Sequence, residues 1–234
     1  MIKLVQLYSK FRRDKSARMV FNLSDQNSIA SQFLFELRES QIQKDRARFR
    51  RNVERLGVLL AYEISKTLAY ELVTIETPVA VAEARKLQRN PVLITILRAG
   101  VPMMQGFLDV FDQADAGFIG AYREDASGEV SIRMDYTATP PLSEREVILV
   151  DPMLATGKSV VMALNFFMSN QKPARIHVAS VIAAPEGIKA IQDHAKELAC
   201  PLQLWTGAID DGLNDRFYIV PGLGDAGDLS FGNK

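Results

Sequence analysis

From Val92 to Thr206 the chain alternates short apolar runs with segments of helical period, and that alternation restricts the fold more than any other feature. The runs Val92–Leu97, Ala116–Tyr122, Val147–Val150, Ile176–Ile182 and Leu202–Thr206 are predicted strands. Between them, Met104, Phe107, Leu108 and Phe111 mark one helix, and Ser159–Ser169 and Glu186–Leu198 mark two more. Strands that are apolar throughout are buried on both faces, which is the habit of parallel sheets. The sequence therefore predicts an α/β fold, a parallel twisted sheet flanked by helices. A further strand, Glu129–Tyr136, is predicted to return across Asp125–Gly128 as a small β flap.

Upstream, Phe49, Val53, Leu56, Leu60, Ile64 and Leu68 recur at three- and four-residue steps and predict a long amphipathic helix over Asp45–Leu68. Its basic face carries Arg46, Arg48, Arg50, Arg51 and Arg55. A solvated face or a subunit contact is the favoured reading, ahead of contact with RNA. Residues 1–44, which mix basic side chains with Leu7, Phe11, Val20 and Phe21, read as an N-terminal helical arm. Residues 45–234 then form one domain.

The chain has 234 residues with 28 basic and 28 acidic side chains, so no electrostatic reason exists to expect nonspecific nucleic-acid or membrane binding. Cys200 is its only cysteine, which excludes an internal disulfide. His177 and His194 are scattered on a strand and a helix, and no zinc spacing appears. No apolar run is long enough to cross a bilayer, and no secretory signal pattern is present. A cytoplasmic enzyme is the expectation.

The chemistry concentrates in Val147–Ser159, where a buried strand delivers Asp151 and then Thr156-Gly157-Lys158-Ser159 at a helix start. The first turn of a helix has backbone N–H groups without intrahelical partners, and the helix dipole adds positive potential there. Such a terminus binds an anion, with Gly157 allowing close approach and Thr156 and Ser159 adding hydroxyls. Asp151 only accepts hydrogen bonds, so beside a phosphate its partners are sugar hydroxyls or a metal. Phosphate plus sugar suggests a phosphorylated ribose. Gly157-Lys158-Ser159 also ends as a nucleoside-triphosphate loop ends, but the first glycine of that motif would fall on Pro152. Ordinary turn punctuation is the remaining reading of the segment. Arg98, after its strand, and Arg123, after Ala121-Tyr122, are candidates for a second anionic group, since guanidinium forks hold phosphate oxygens bidentately. The tail from Leu213 to Gly232 holds four glycines and one proline, which suits neither helix nor strand but suits a backbone folded around a flat ligand.

Three stretches carry a family resemblance: Ile96-Leu-Arg-Ala-Gly100, Val150-Asp-Pro-Met-Leu-Ala-Thr-Gly157 and Tyr218-Ile-Val-Pro-Gly-Leu-Gly-Asp-Ala-Gly-Asp228. Together they resemble the signature segments of uracil phosphoribosyltransferase, with shorter matches at Leu60–Glu63, Ile75–Pro78, Tyr122-Arg123, Ala183–Gly187 and Leu213-Asn214. The resemblance runs from about Leu34 to the C-terminus and implies a phosphoribosyltransferase-like fold with a C-terminal uracil-binding loop. It implies transfer of the phosphoribosyl group of 5-phosphoribosyl 1-diphosphate to uracil, giving UMP, with Mg2+ held mainly through the substrate diphosphate. By this resemblance the phosphoribosyl site comprises Arg98, Arg123, Asp151, Pro152, Met153, Leu154, Ala155, Thr156, Gly157, Lys158, Ser159 and Asp225. Uracil falls to Ile219, Gly224, Asp225 and Ala226, and the catalytic roles to Arg98, Asp151 and Asp225. A homo-oligomer is expected, and GTP as an effector, because some members respond to a nucleotide. Lys158 departs from the family, which usually has a second glycine there. A transferase-like RNA-binding regulator and a nucleoside kinase are the alternatives.

Overall fold

The computed structural model describes residues 19–126 and 129–233, with the side chains of residues 121–134 and 170 outside that description. Its centre is an eight-stranded sheet in the order β1-β10-β9-β7-β4-β5-β6, to which β8 adds by pairing with β9. These strands are β1 (Val20–Asn22), β4 (Val92–Leu97), β5 (Asp115–Ala126), β6 (Glu129–Ala138), β7 (Glu146–Val150), β8 (Met153–Leu154), β9 (Arg175–Ala183) and β10 (Leu202–Ile209). All pairings are parallel except β5 with β6, which is the flap expected from the sequence. Ser127 and Gly128 of the expected turn lie outside the described residues.

Alternate strand residues feed two cores, as a doubly covered sheet requires. Leu93, Ile148, Val150 and Ala179 pack on one side with α1 (Ile29–Arg38), α2 (Arg46–Ser65) and α3 (Val101–Val110). Val92, Ile94, Val147, Leu149 and Val178 pack on the other with α4 (Lys158–Asn170) and α5 (Pro185–Ala195). The predicted long helix is α2, with Asp45 as its cap: the carboxylate accepts from the Ala47 and Arg48 N–H groups. Its apolar stripe of Phe49, Val53, Leu56, Leu60 and Ile64 is buried within this chain. Consequently that stripe is not the surface available for self-association.

Two glycines let α2 and α3 touch backbone to backbone. A Cβ on Gly106 would stand 2.0 Å from the Glu54 carbonyl oxygen, and one on Gly57 would stand 2.5 Å from that of Met103. This contact seats α3, and hence the loop that precedes it, against the body of the fold.

The segment expected as an arm contributes to that body from Val20 onward. Strand β1 pairs with β10 (Val20↔Leu204), and α1, capped by Ser28, buries Ala30, Leu34 and Leu37. Those three residues lie on one helical face, a periodicity that a reading for basic residues passes over. Leu7 and Phe11 lie outside the described residues. A hairpin of β2 (Tyr70–Glu76) and β3 (Val81–Leu87), absent from the predicted elements, forms its own two-stranded sheet.

Between α1 and α2, Glu36 is buried and accepts from Arg48 Nε at 2.8 Å, Asn52 Nδ2 at 2.7 Å and Gln32 Nε2 at 3.1 Å. The Arg48 hydrogen bond, followed by those of Asn52 and Gln32, outweighs burial and holds the carboxyl at about 2, against 4.5 ordinarily. A carboxyl depressed on folding contributes stability above its unfolded pKa and loses it as pH falls through the folded value. The expected result is that Glu36→Gln lowers the urea midpoint at pH 7, and that its deficit relative to wild type shrinks between pH 4.5 and 2. A deficit that does not change over that window would contradict this coupling.

His177 is buried and structural, as its strand position suggested. Trp205 Nε1 donates to its Nδ1 at 3.1 Å, so Nε2 carries the proton towards Glu146 Oε2, also at 3.1 Å. Burial pushes its pKa below the usual histidine value despite the Glu146 contact, which favours this neutral form.

Candidate active site

Strand order reverses between β4 and β7. From β4 the chain crosses through α3 to β5 on one side, and from β7 through α4 to β9 on the other. Ligands of open α/β sheets bind at such a switch point, outside the carboxyl ends of the strands. Arg98 follows the last residue of β4 and Asp151 follows the last residue of β7, so the two predicted residues stand at the ends of paired strands (Thr95↔Val150). Thr95 Oγ1 donates to the Val150 carbonyl at 3.1 Å and fastens these ends together. The Leu97–Arg98 and Val220–Pro221 peptides are cis.

The loop from Asp151 to Ser159 splits into two functional parts. Asp151 Oδ1 accepts from the Met153 N–H at 3.3 Å, and the Pro152 carbonyl accepts from the N–H groups of Val181 and Ile182. Met153 and Leu154 pair with β9 as β8, Leu154 is buried and Met153 half-buried, so these residues shape the loop more than they face a ligand. In the second part, Ala155–Ser159, Ala155 and Gly157 are buried, Thr156 and Ser159 half-buried and Lys158 exposed. Gly157 takes φ +77° as it opens α4, and a Cβ there would stand 3.1 Å from the Gly187 carbonyl of α5. Thr156 Oγ1 accepts from the Lys158 N–H at 3.4 Å, and Lys158 is the exposed first residue of the helix. Helix α4 thus presents its N-terminus beside Asp151, the arrangement that binds a phosphate.

The C-terminal tail closes the site from the Arg98 side. Arg98 Nη2 donates to Asp228 Oδ1 at 3.0 Å and to the Gly232 carbonyl at 3.2 Å. Its Nε is buried with no hydrogen-bond partner, an unusual state for a guanidinium that an incoming anion would relieve. The tail is more regular than its glycine content suggested. Ile219–Val220 forms β12, paired with β11 (Gly212–Leu213), and Ala226–Phe231 forms the short helix α6. Asp225 caps that helix, its Oδ1 accepting from Gly227 N at 2.8 Å and Asp228 N at 3.0 Å. This cap is why a glycine-rich segment supports a helical turn at all.

Of the predicted uracil residues, Ile219 and Ala226 are buried, while Gly224 (φ +92°) and Asp225 are exposed. Arg123 lies on β5, and its side chain is outside the described residues. Gln43 and Lys44, which the sequence reading passed over, also border the tail: with Arg46 of the α2 basic face they line a cleft of about 430 Å³ against Gly224, Asp225 and Asp228. The only signal of Gln43 and Lys44 in the sequence was position, just before the Asp45 helix cap.

Known proteins resemble this chain along nearly its whole length. The family model described as Uracil phosphoribosyltransferase matches residues 24–233. The chain belongs to the uracil phosphoribosyltransferase family. A uracil phosphoribosyltransferase of Porphyromonas gingivalis is 41% identical over 216 residues, covering 92% of this chain and 99% of that one. One of Thermococcus kodakarensis is 40% identical over 224 residues, covering 94% of each. Among solved structures, the AQ2163 protein from Aquifex aeolicus superposes with a TM-score of 0.80 at 30% identity, over 92% of this chain and 98% of that one. The uracil phosphoribosyltransferase match begins at residue 24, so it takes in the part of the expected arm from there to residue 44.

Proposed function

We propose that this chain carries out the family reaction at the β4–β7 switch point, joining uracil N1 to C1 of 5-phosphoribosyl 1-diphosphate and releasing diphosphate. The observation that carries the assignment is the convergence of the Arg98 loop, the Asp151–Ser159 loop and the C-terminal tail on one sheet edge. Ala155–Ser159 at the α4 N-terminus holds the 5-phosphate, and Asp151 accepts from the ribose hydroxyls. Arg98, with Arg123 of the flap, holds the diphosphate. As the C1–oxygen bond breaks, negative charge grows on the leaving group, and fixed guanidinium donors stabilise that growth. Asp225 uses Oδ1 for the helix cap and leaves Oδ2 as acceptor for a water that takes the proton from uracil N1.

Magnesium fits this donor set as a hard cation bound through oxygens of the diphosphate, ribose and Asp151. Among the described residues no group of three or more His, Cys, Asp or Glu is assembled for a metal, so substrate supplies most of its ligands. When bound, it neutralises part of the diphosphate charge.

Uracil is read by backbone at Ile219 and Gly224–Ala226. Its O4 accepts and its N3–H donates, and cytosine reverses both, leaving two fixed groups unmatched at about 1–3 kcal/mol each. Incubation of the protein with 5-phosphoribosyl diphosphate and uracil or cytosine, and separately with ATP and uridine, tests the assignment. UMP is expected from uracil alone, at roughly 10²- to 10⁴-fold higher kcat/KM than any cytosine product. Equal use of cytosine sinks the backbone reading, and UMP from uridine and ATP in place of uracil sinks the transferase.

Both alternatives lose support. Pro152 stands where a nucleoside-triphosphate loop has its first glycine and has no N–H to offer a phosphate. Four of the five arginines of α2 are engaged within the chain: Arg48 with Glu36, Arg50 with the Ser230 carbonyl, Arg51 with Glu54, and Arg55 over the Phe33 ring. No helix is long and apolar enough to cross a membrane. The same reading makes the protein a cytoplasmic homo-oligomer with GTP as effector. Exposed apolar residues on the β2–β3 hairpin, Leu72 at 57%, Val79 at 94% and Val81 at 68%, support self-association. Light scattering on the purified chain, with and without GTP, checks mass and response together.

A further inference from the structure

Asp210, immediately after β10, and Arg38, at the end of α1, are 172 residues apart and form a bidentate pair. Arg38 Nη2 donates to Asp210 Oδ1 at 2.5 Å and Nη1 to Oδ2 at 2.8 Å. Both ends of the pair also grip one residue of the tail. The Gly222 N–H donates to Asp210 Oδ2 at 2.8 Å, and the Gly222 carbonyl accepts from Arg38 Nη1 at 2.9 Å. Gly222 takes φ +63°, and a Cβ there would stand 2.1 Å from the Ile219 carbonyl oxygen, so the chain folds back tightly between Ile219 and Gly222. The Asp210 side chain is 3% exposed and that of Arg38 26%.

We infer that Arg38 and Asp210 are positioning residues for pyrimidine recognition, acting through the backbone of Gly222. The inference rests on the placement of the base against Ile219 and Gly224–Ala226, which flank Gly222 on either side. A glycine-rich loop has many backbone conformations, and recognition by backbone donors and acceptors discriminates only if those groups are held still. A buried ion pair adds little net stability over an apolar pair of the same shape, but a planar fork fixes direction as well as distance. Here the fork fixes both polar groups of the one residue on which the loop turns. Helix α1, from the segment that looked like an arm, thereby becomes part of the specificity apparatus.

The test compares Arg38→Lys, which keeps charge but not the fork, and Asp210→Asn with wild type in steady-state kinetics. The folded fraction is followed by near-ultraviolet circular dichroism. The KM for uracil is expected to rise roughly 10- to 100-fold, while that for 5-phosphoribosyl diphosphate stays within about twofold. Preference for uracil over cytosine is expected to fall by about tenfold. Arg38→Ala assayed with and without ethylguanidinium keeps the question open to disproof where a variant folds poorly. Recovery of the uracil KM on addition supports the clamp, and no recovery overturns it. Folded variants with an unchanged uracil KM, or a parallel loss of all parameters with folded fraction, overturn it as well. Gly224→Ala, within the loop itself, separates the two levels of the argument. If it leaves uracil KM unchanged, the placement of the base fails; if it raises KM while Arg38→Lys does not, only the clamp fails.

Discussion

Arg98→Ala is expected to lower kcat/KM by on the order of 10²–10³ while leaving the protein folded. The loss arises because the side chain removed is the fixed cation at the β4 end of the switch point, where the diphosphate leaves. Its structural contribution is small by comparison. The ion pair with Asp228 has both side chains 38% exposed, a setting in which such pairs contribute under about 1 kcal/mol. Removing the guanidinium also removes its buried, unpartnered Nε. Asp151→Asn is expected to behave alike, because asparagine keeps the oxygen that accepts from the Met153 N–H but loses the charge. Turnover measured beside thermal melting checks both variants. Wild-type turnover in either sinks the assignment of the phosphoribosyl site, and a collapse of the melting transition would mean that the residue is structural.

Gly100→Ala is expected to impair stability and catalysis together. A Cβ at Gly100 would stand 2.0 Å from Thr95 Oγ1, 2.8 Å from the Ile96 carbonyl and 3.1 Å from the Val150 carbonyl. Two of these are backbone atoms of β4 and β7, which cannot rotate aside, so the strand ends must separate. Overpacking of this kind costs about 1–3 kcal/mol. The same displacement moves Arg98 relative to Asp151, and a shift of about 1 Å at a reacting centre costs up to roughly 10²-fold in rate. Thr95→Ala in the Gly100→Ala background removes the closest atom, and partial recovery of the denaturation midpoint is expected. A single variant that matches wild type in both urea midpoint and kcat/KM would show that the strand ends give way without cost.

How much of this was legible in the sequence follows from the range of each interaction. The strands Val92–Leu97 and Val147–Val150 stood out because residues that alternate between two buried cores must all be apolar, a purely local signature. Asp45 and the α2 stripe were equally local, as was the Thr156–Ser159 helix start. By contrast, α1 was passed over although Ala30, Leu34 and Leu37 have helical spacing, because one buried face in a polar segment gives a weak signal. The tail was expected to be irregular from its glycines, and the Asp225 cap decided otherwise over six residues.

By itself the sequence determined the layered α/β architecture, the strand-to-helix phosphate loop and the family to which the residues belong, because periodicity, caps and glycine positions act within a few residues of one another. Only the tertiary structure decided what those parts do to each other. It put the ends of β4 and β7 side by side, turned Arg98 towards Asp228 and Gly232, engaged Arg48, Arg50 and Arg55 of α2 with other elements and joined Arg38 to Asp210 around Gly222. The physical reason is that a hydrogen bond or close contact across a hundred residues depends on how helices and strands pack, and neither residue's local neighbourhood carries that information.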